Sequence, residues 1–194
     1  IAIFMLMFGV NFNAYYFILY RQFKKAFSLE EVRWYFIIIF GAVGVLMIDL
    51  VNRFGNFFTA LRHAVFQVAA TITSTGYSSA DFDKWAQSSR FILVLLMFIG
   101  ACAGSTGGGI KVSRFVIAVK TVGKELESYL HPKSVRKIKM DGKPVEHEVV
   151  RSVNVYFITF LIIFTFSVFI LSFEGKSAET NFTAVIATLN NIGP

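Results

Sequence analysis

The stretch FFTALRHAVFQVAATITSTGY, Phe57 to Tyr77, decides the fold. Its first fourteen residues, Phe57 to Ala70, are largely apolar. They are too few to cross a bilayer comfortably, since a crossing helix takes about 20. Arg62, His63 and Gln67 interrupt them, and small polar residues take over at Thr71. Irregular backbone at membrane depth is tolerated only inside protein or along a water-filled path. The stretch therefore predicts a re-entrant helix that ends inside the protein and hands over to a glycine loop, Thr73 to Tyr77.

Composition agrees with a membrane setting. Of 194 residues, 55% are hydrophobic, 16% are charged, and 23 are Phe. Soluble domains carry roughly 25% charged residues, so these apolar side chains need lipid or more protein around them. The net charge of +7 is not spread along a recognition surface. Ten Lys and Arg lie between Lys111 and Arg151 against five acids, and four more lie between Arg21 and Arg33. Basic residues gathered in the gaps between apolar runs fit the positive-inside rule, not nucleic-acid binding. They place 21–33 and 123–150 in the cytoplasm, with 52–55 and 80–88 outside. The single cysteine, Cys102, forms no intrachain disulfide and leaves the redox compartment open. No signal peptide is recognisable at Ile1, and both ends read as cuts through a longer protein.

Further segments follow the same logic. Ile1–Tyr20 is uncharged and long enough to span, with Asn11 and Asn13 expected to face protein as interhelical glue. "SLEE" resembles a capping box, Ser28 with Glu31, that starts the next helix. Trp34 and Tyr35 suit the interface, and Tyr35–Val51 makes a second span with Asp49 near its far end. Phe91–Cys102 begins another helix that meets "AGSTGGGIK" in mid-crossing. Each of those glycines costs a helix about 1 kcal/mol relative to Ala, so a loop should break the span before Val112–Val122 resumes it. Asp141-Gly142 predicts a type I′ hairpin in the basic connector. Val153–Phe173 is the clearest full span, and Thr180–Leu189 is a second short helix that runs into "NNIGP".

The order span, short helix, glycine loop therefore occurs twice, once ending in "TSTGY" and once in "NNIGP". The pattern predicts an all-α integral membrane protein built of repeated helix–pore-loop–helix units around a central ion pore, with a small cytoplasmic hairpin. A dehydrated cation needs oxygen dipoles in place of its water, and backbone carbonyls supply them without a fixed charge. The first loop offers the carbonyls of Ser74, Thr75, Gly76 and Tyr77, with Gly76 giving backbone freedom and Tyr77 bracing the loop laterally. The second offers Asn191, Ile192 and Gly193. The negative end of the short helix at Ala69–Thr71 also favours a cation.

"GVNFNAYY", "EEVRWY", "TSTGYSSADFDKW", "GACAGSTGGGIKVSR", "HPKSVRKIKMDGKPV" and "NNIGP" occur in the order found in the TrkH/TrkG/KtrB family of bacterial potassium-uptake proteins, which the chain resembles over nearly its whole length. The resemblance implies four linked units around one pore. Residues 1–20 would close the second unit, 21–34 would be a cytoplasmic connector, and 35–122 the third unit with its filter loop and broken second helix. Residues 123–152 would be the basic connector with its hairpin, and 153–194 the opening half of the fourth unit. The selectivity glycines map to Gly76 and Gly193. The family's intramembrane gate maps to Ala103, Gly104, Ser105, Thr106, Gly107, Gly108 and Gly109. Lys111 beside it reads either as a cation-repelling charge or as a snorkelling side chain. The resemblance further implies K+ as the transported ion and no bound organic cofactor. It implies a membrane homodimer in lipid and a cytosolic nucleotide-binding regulatory ring. The location it implies is the bacterial inner membrane, as a multi-pass protein.

Other readings are weaker. "GSTGGGIK" is no Walker A loop, because Ile110 separates Gly109 from Lys111, Val112 follows, and no βαβ pattern surrounds it. The protein therefore reads as a non-enzyme. Asp81 and Asp83 read first as caps of an external turn and second as a cation-concentrating mouth. His63, His131 and His147 lack ligand spacing. The rival functions are a cation-coupled secondary transporter, which also uses broken helices, and a non-conducting membrane scaffold or receptor subunit.

Overall fold

A computed structural model describes residues 1–131 and 137–193. Residues 132–136 of the basic connector, and the Pro194 that closes "NNIGP", lie outside the described residues. The order is α1 (Ala2–Phe8), α2 (Phe12–Leu19), α3 (Phe23–Ser28), α4 (Glu30–Phe54), α5 (Phe57–Ile72), a 3-10 turn (Phe82–Lys84), α6 (Gln87–Ile99), α7 (Val112–Leu130), a hairpin of β1 (Lys139–Met140) and β2 (Lys143–Pro144), α8 (His147–Ser172) and α9 (Ala178–Leu189). By length and composition α4 and α8 are able to cross a membrane, and the α1–α2 pair makes a third if it is taken as one bent span.

That bend is a departure from the straight helix expected over 1–20. α1 and α2 meet at 94°. Asn11 stands in the break, and its side chain accepts from Asn13 N–H at 2.9 Å, which caps α2. Asn11 also faces protein as expected, donating from Nδ2 to Glu31 of α4, whereas Asn13 is exposed. Tyr35 is not an interfacial anchor. It is fully buried, its hydroxyl donates to Leu6 O at 3.1 Å, and it fills the space beside Gly9. Nor does the capping box form. Ser28 ends α3, Leu29 precedes α4 without a side-chain cap, and Glu31 is turned inward. The Glu30 N–H finds its acceptor on the hairpin instead, at Asp141 Oδ1, 2.6 Å away.

α4 runs to Gly55, which closes it in a left-handed conformation. Its buried positions Tyr35, Ile39, Ala42, Leu46 and Leu50 recur at helical spacing and share one cluster with Ala60, Ala64 and Val68 of α5. Lipid is as apolar as Leu, so close packing rather than hydrophobic burial holds such helices together. The alanines on α5 permit that approach. α8 and α9 join the rest through aromatic edges: Phe164 packs on Phe182 at 4.9 Å and on Phe98 of α6 at 5.6 Å between ring centres.

The polar contacts gather the turns at the two ends of α4. Lys120 of α7 pairs with Glu30 at 2.5 Å and donates to Lys139 O at 2.7 Å, which gathers the start of α4, α7 and the hairpin. Asp141 and Gly142 both take positive φ, 52° and 77°, the backbone of the expected I′ turn. α7 runs on to Leu130, so the start of the basic connector is helical. At the opposite end Arg53 donates to Lys84 O, and Arg90 pairs with Glu179 at 3.0 Å. There Asp49 Oδ2 accepts from Ala86 N–H at 3.0 Å and Ser89 Oγ at 2.9 Å, and so caps α6 from a neighbouring helix. Asp49→Ala is expected to destabilise the fold by about 1–2 kcal/mol, seen as a lowered melting temperature in detergent, and Asp49→Asn should recover part of that loss.

Candidate functional site

The two short helices end in loops of the same backbone form. After α5, Thr73 N–H bonds Ala69 O at 3.1 Å, Ser74 N–H bonds Thr71 O at 3.2 Å, and Thr75 N–H bonds Ala70 O at 2.9 Å. After α9, Asn190 N–H bonds Ile186 O at 3.1 Å, Asn191 N–H bonds Thr188 O at 3.1 Å, and Ile192 N–H bonds Ala187 O at 2.9 Å. The left-handed residues match as well: Ser74 (φ 56°) with Asn191 (55°), and Gly76 (73°) with Gly193 (94°). Ser and Asn pair at one position of the repeat although their side chains differ, because the backbone turn is what repeats.

The loops lie against each other. A Cβ on Gly76 would fall 2.0 Å from Ile192 O, so only glycine fits there. Thr73 Oγ1 donates to Ala69 O at 2.6 Å and lies 2.6 Å from Thr75 Oγ1. These hydroxyls tie the first loop to its own helix. Tyr77, expected to brace the loop laterally, is 63% exposed in this chain. Among the described residues, no hydrogen bond is made to the carbonyl oxygens of Ser74, Thr75, Gly76 or Tyr77, four successive backbone acceptors.

The glycine-rich segment between α6 and α7 passes directly against both loops. A Cβ on Gly107 would lie 3.1 Å from Thr73 O, and one on Gly108 would lie 2.3 Å from Asn190 O and 3.0 Å from Ser74 Oγ. Its outer bonds run to the bend between α1 and α2: Cys102 N–H to Gly9 O at 3.0 Å, Thr106 N–H to Phe8 O at 3.3 Å, and Phe12 N–H to Gly104 O at 3.2 Å. Ser105 Oγ donates to Cys102 O at 2.6 Å. Lys111 does not snorkel outward. It is partly buried, with φ 86°, and its ammonium turns back onto Gly107 O. At the stems, Glu31 Oε1 accepts from Ala103 N–H at 2.5 Å and Ser113 N–H at 3.1 Å. Glu31 Oε2 accepts from Asn11 Nδ2 at 3.0 Å. The sequence signal for this contact is an acid at the head of an apolar helix, which reads equally well as a helix-terminus charge.

Beside the two loops a cavity of about 570 Å³ opens between α5, α6 and α9, lined by Gln67, Thr71, Arg90 and Thr183 among others. Gln67, which looked like a mere interruption of α5, is buried there with Oε1 unpartnered among the described residues. Asp81 caps the 3-10 turn and pairs with Lys84 at 2.9 Å, and the bond from Lys84 holds its carboxyl below the usual range. His63 stacks on Phe54 and meets Ser79 Oγ at 3.0 Å. Among the described residues, no three His, Cys, Asp or Glu side chains gather into a metal site.

Comparison with known proteins gives one consistent picture. A family model described as "TrkH: Cation transport protein" matches residues 1–194. The Trk system potassium uptake protein TrkH of Salmonella typhimurium is 31% identical over 197 aligned residues, covering 100% of this chain and 41% of that protein. Its Vibrio parahaemolyticus counterpart is 35% identical over 137 residues, covering 71% of this chain and 28% of that protein. The crystal structure of the potassium transporter TrkH from Vibrio parahaemolyticus superposes with a TM-score of 0.90 at 30% identity, over 100% of this chain and 42% of that one. The chain thus spans about two fifths of the length of these relatives.

Proposed function

Because the chain belongs to the TrkH family of cation transport proteins, we propose that its two glycine loops form half of the selectivity filter of a potassium-uptake protein, and that 103–109 is the gate beneath them. It is a multi-pass inner-membrane protein, and its family is one of transporters, not enzymes. The observation that carries the filter reading is the run of carbonyls from Ser74 to Tyr77 that accept no hydrogen bond among the described residues, in a loop that repeats its backbone geometry at Asn191–Gly193 and abuts it. A ring of such oxygens replaces an ion's hydration shell, and the C-terminal ends of α5 and α9 add negative potential behind it. The gate reading rests on the contact of Gly107 and Gly108 with both loops. The three glycines at 107–109 let the segment close a narrow path on backbone alone and rearrange at low steric cost.

K+ is the transported ion in this reading, and no organic cofactor is held by the chain. The protein would act as a homodimer. A cytosolic nucleotide-binding ring would dock on the basic end, where the hairpin, α7 and the start of α4 converge.

The test is ion flux through the complete protein in liposomes, K+ against Na+, with no proton gradient. Rapid K+-preferring flux supports the filter. Flux that appears only with a coupling ion points to a secondary transporter. Silence even with the cytosolic partner and its nucleotide present points to a scaffold.

A further inference from the structure

We propose that Glu31 is the latch of the intramembrane loop, a positioning residue whose single carboxylate fastens both stems. The inference rests on the gate reading above for its functional consequence, and on geometry alone for the latch itself. Glu31 is 5% exposed, in the first turn of α4. One of its oxygens takes the N–H of Ala103, where the loop begins, and the N–H of Ser113, just after α7 starts. The other takes Asn11 Nδ2 at the α1–α2 bend. A carboxylate is acceptor-only, so it alone satisfies three converging N–H donors. Charge-assisted bonds of this kind are the stronger class. Lys111, the loop's own cation, is engaged by Gly107 O and makes no ion pair with Glu31 among the described residues. The loop is therefore held by N–H donors on one acidic side chain, and displacing that side chain frees both stems together.

The latch is also within reach of the cytoplasm. The adjacent residue, Glu30, gives its N–H to Asp141 at the hairpin tip and its carboxylate to Lys120, which in turn binds Lys139 O. A displacement of the hairpin acts on the residue next to Glu31, so the first turn of α4 is the mechanical link between the basic end and the loop.

The readout is Cys102, fully buried beside Ala103. Its labelling by a small water-soluble methanethiosulfonate is measured in the complete protein in liposomes, with any other cysteine replaced, alongside basal K+ flux and melting temperature. Glu31→Ala is expected to raise the Cys102 labelling rate by about tenfold or more, as local opening becomes easier. Glu31→Gln, which keeps one carbonyl acceptor but sets an NH2 against Asn11, should give a smaller rise. Asp141→Ala should raise it with Glu31 intact. K+ over Na+ preference should be unchanged in all three. Unchanged labelling in Glu31→Gln, or in a folded Glu31→Ala, overturns the latch. Raised labelling in Glu31 variants with unchanged flux upholds the latch and removes the gate reading instead. Unchanged labelling in Asp141→Ala alone overturns the hairpin link.

Discussion

Gly76→Ala is expected to reduce the K+ over Na+ flux preference of the complete protein by about tenfold or more, because selectivity depends on how carbonyl dipoles are placed around the ion. Two independent obstacles act at this position. The backbone has φ 73°, which an L side chain adopts at a cost of about 1–2 kcal/mol. The new methyl would also stand 2.0 Å from Ile192 O, a backbone atom of the other loop. Nothing flexible is available to yield, so the two loops must separate and their carbonyls shift with them. Bi-ionic reversal potentials or paired tracer fluxes measure the effect. Gly123→Ala is the matched control: it lies in α7, where a Cβ meets nothing within 4 Å, and it should leave selectivity untouched. Equal permeability ratios in wild type and Gly76→Ala would remove Gly76 from the filter.

On the gate reading, deleting Gly104 to Gly109 is expected to raise basal flux by about tenfold or more while K+ preference is retained, since the proposed filter loops keep all their carbonyls and lose the proposed obstacle beneath them. The expectation comes from contact: Gly107 approaches Thr73 O, and Gly108 approaches Asn190 O and Ser74, so the segment lies across both loops. Gly108→Ala probes the same contact with one methyl. Its Cβ would come within 2.3 Å of Asn190 O, which forces the segment away and should give a smaller rise in basal flux. Tracer uptake without activating partner, in protein shown to be inserted and assembled, decides the matter. Wild-type basal and regulated flux in the deletion variant would exclude gating by this segment. Reduced K+ preference in Gly108→Ala, with flux unchanged, would assign the segment to supporting the filter from below.

The sequence by itself determined the elements that follow from length, apolarity and glycine placement. α4 and α8 are long apolar runs, α5 and α9 are apolar runs too short to cross, and three consecutive glycines cannot carry α6 on into α7. The Asp141-Gly142 turn was equally legible, since its positive φ values demand such residues. The candidate site's residue types were visible for the same reason: a small polar loop at membrane depth has few uses. Only the tertiary structure decided where side chains spend their hydrogen bonds. Glu31 and Tyr35 each fit a local rule, as cap and interface anchor, and each bonds a distant partner instead, while Ser28 ends α3 and caps nothing. The bend at Asn11 likewise carries bonds from a distant segment, with Cys102 and Thr106 donating to Gly9 O and Phe8 O. Local pattern fixes which backbone groups go unsatisfied. Which side chain satisfies them depends on residues brought together from across the chain, and inside a membrane no water stands ready to take their place.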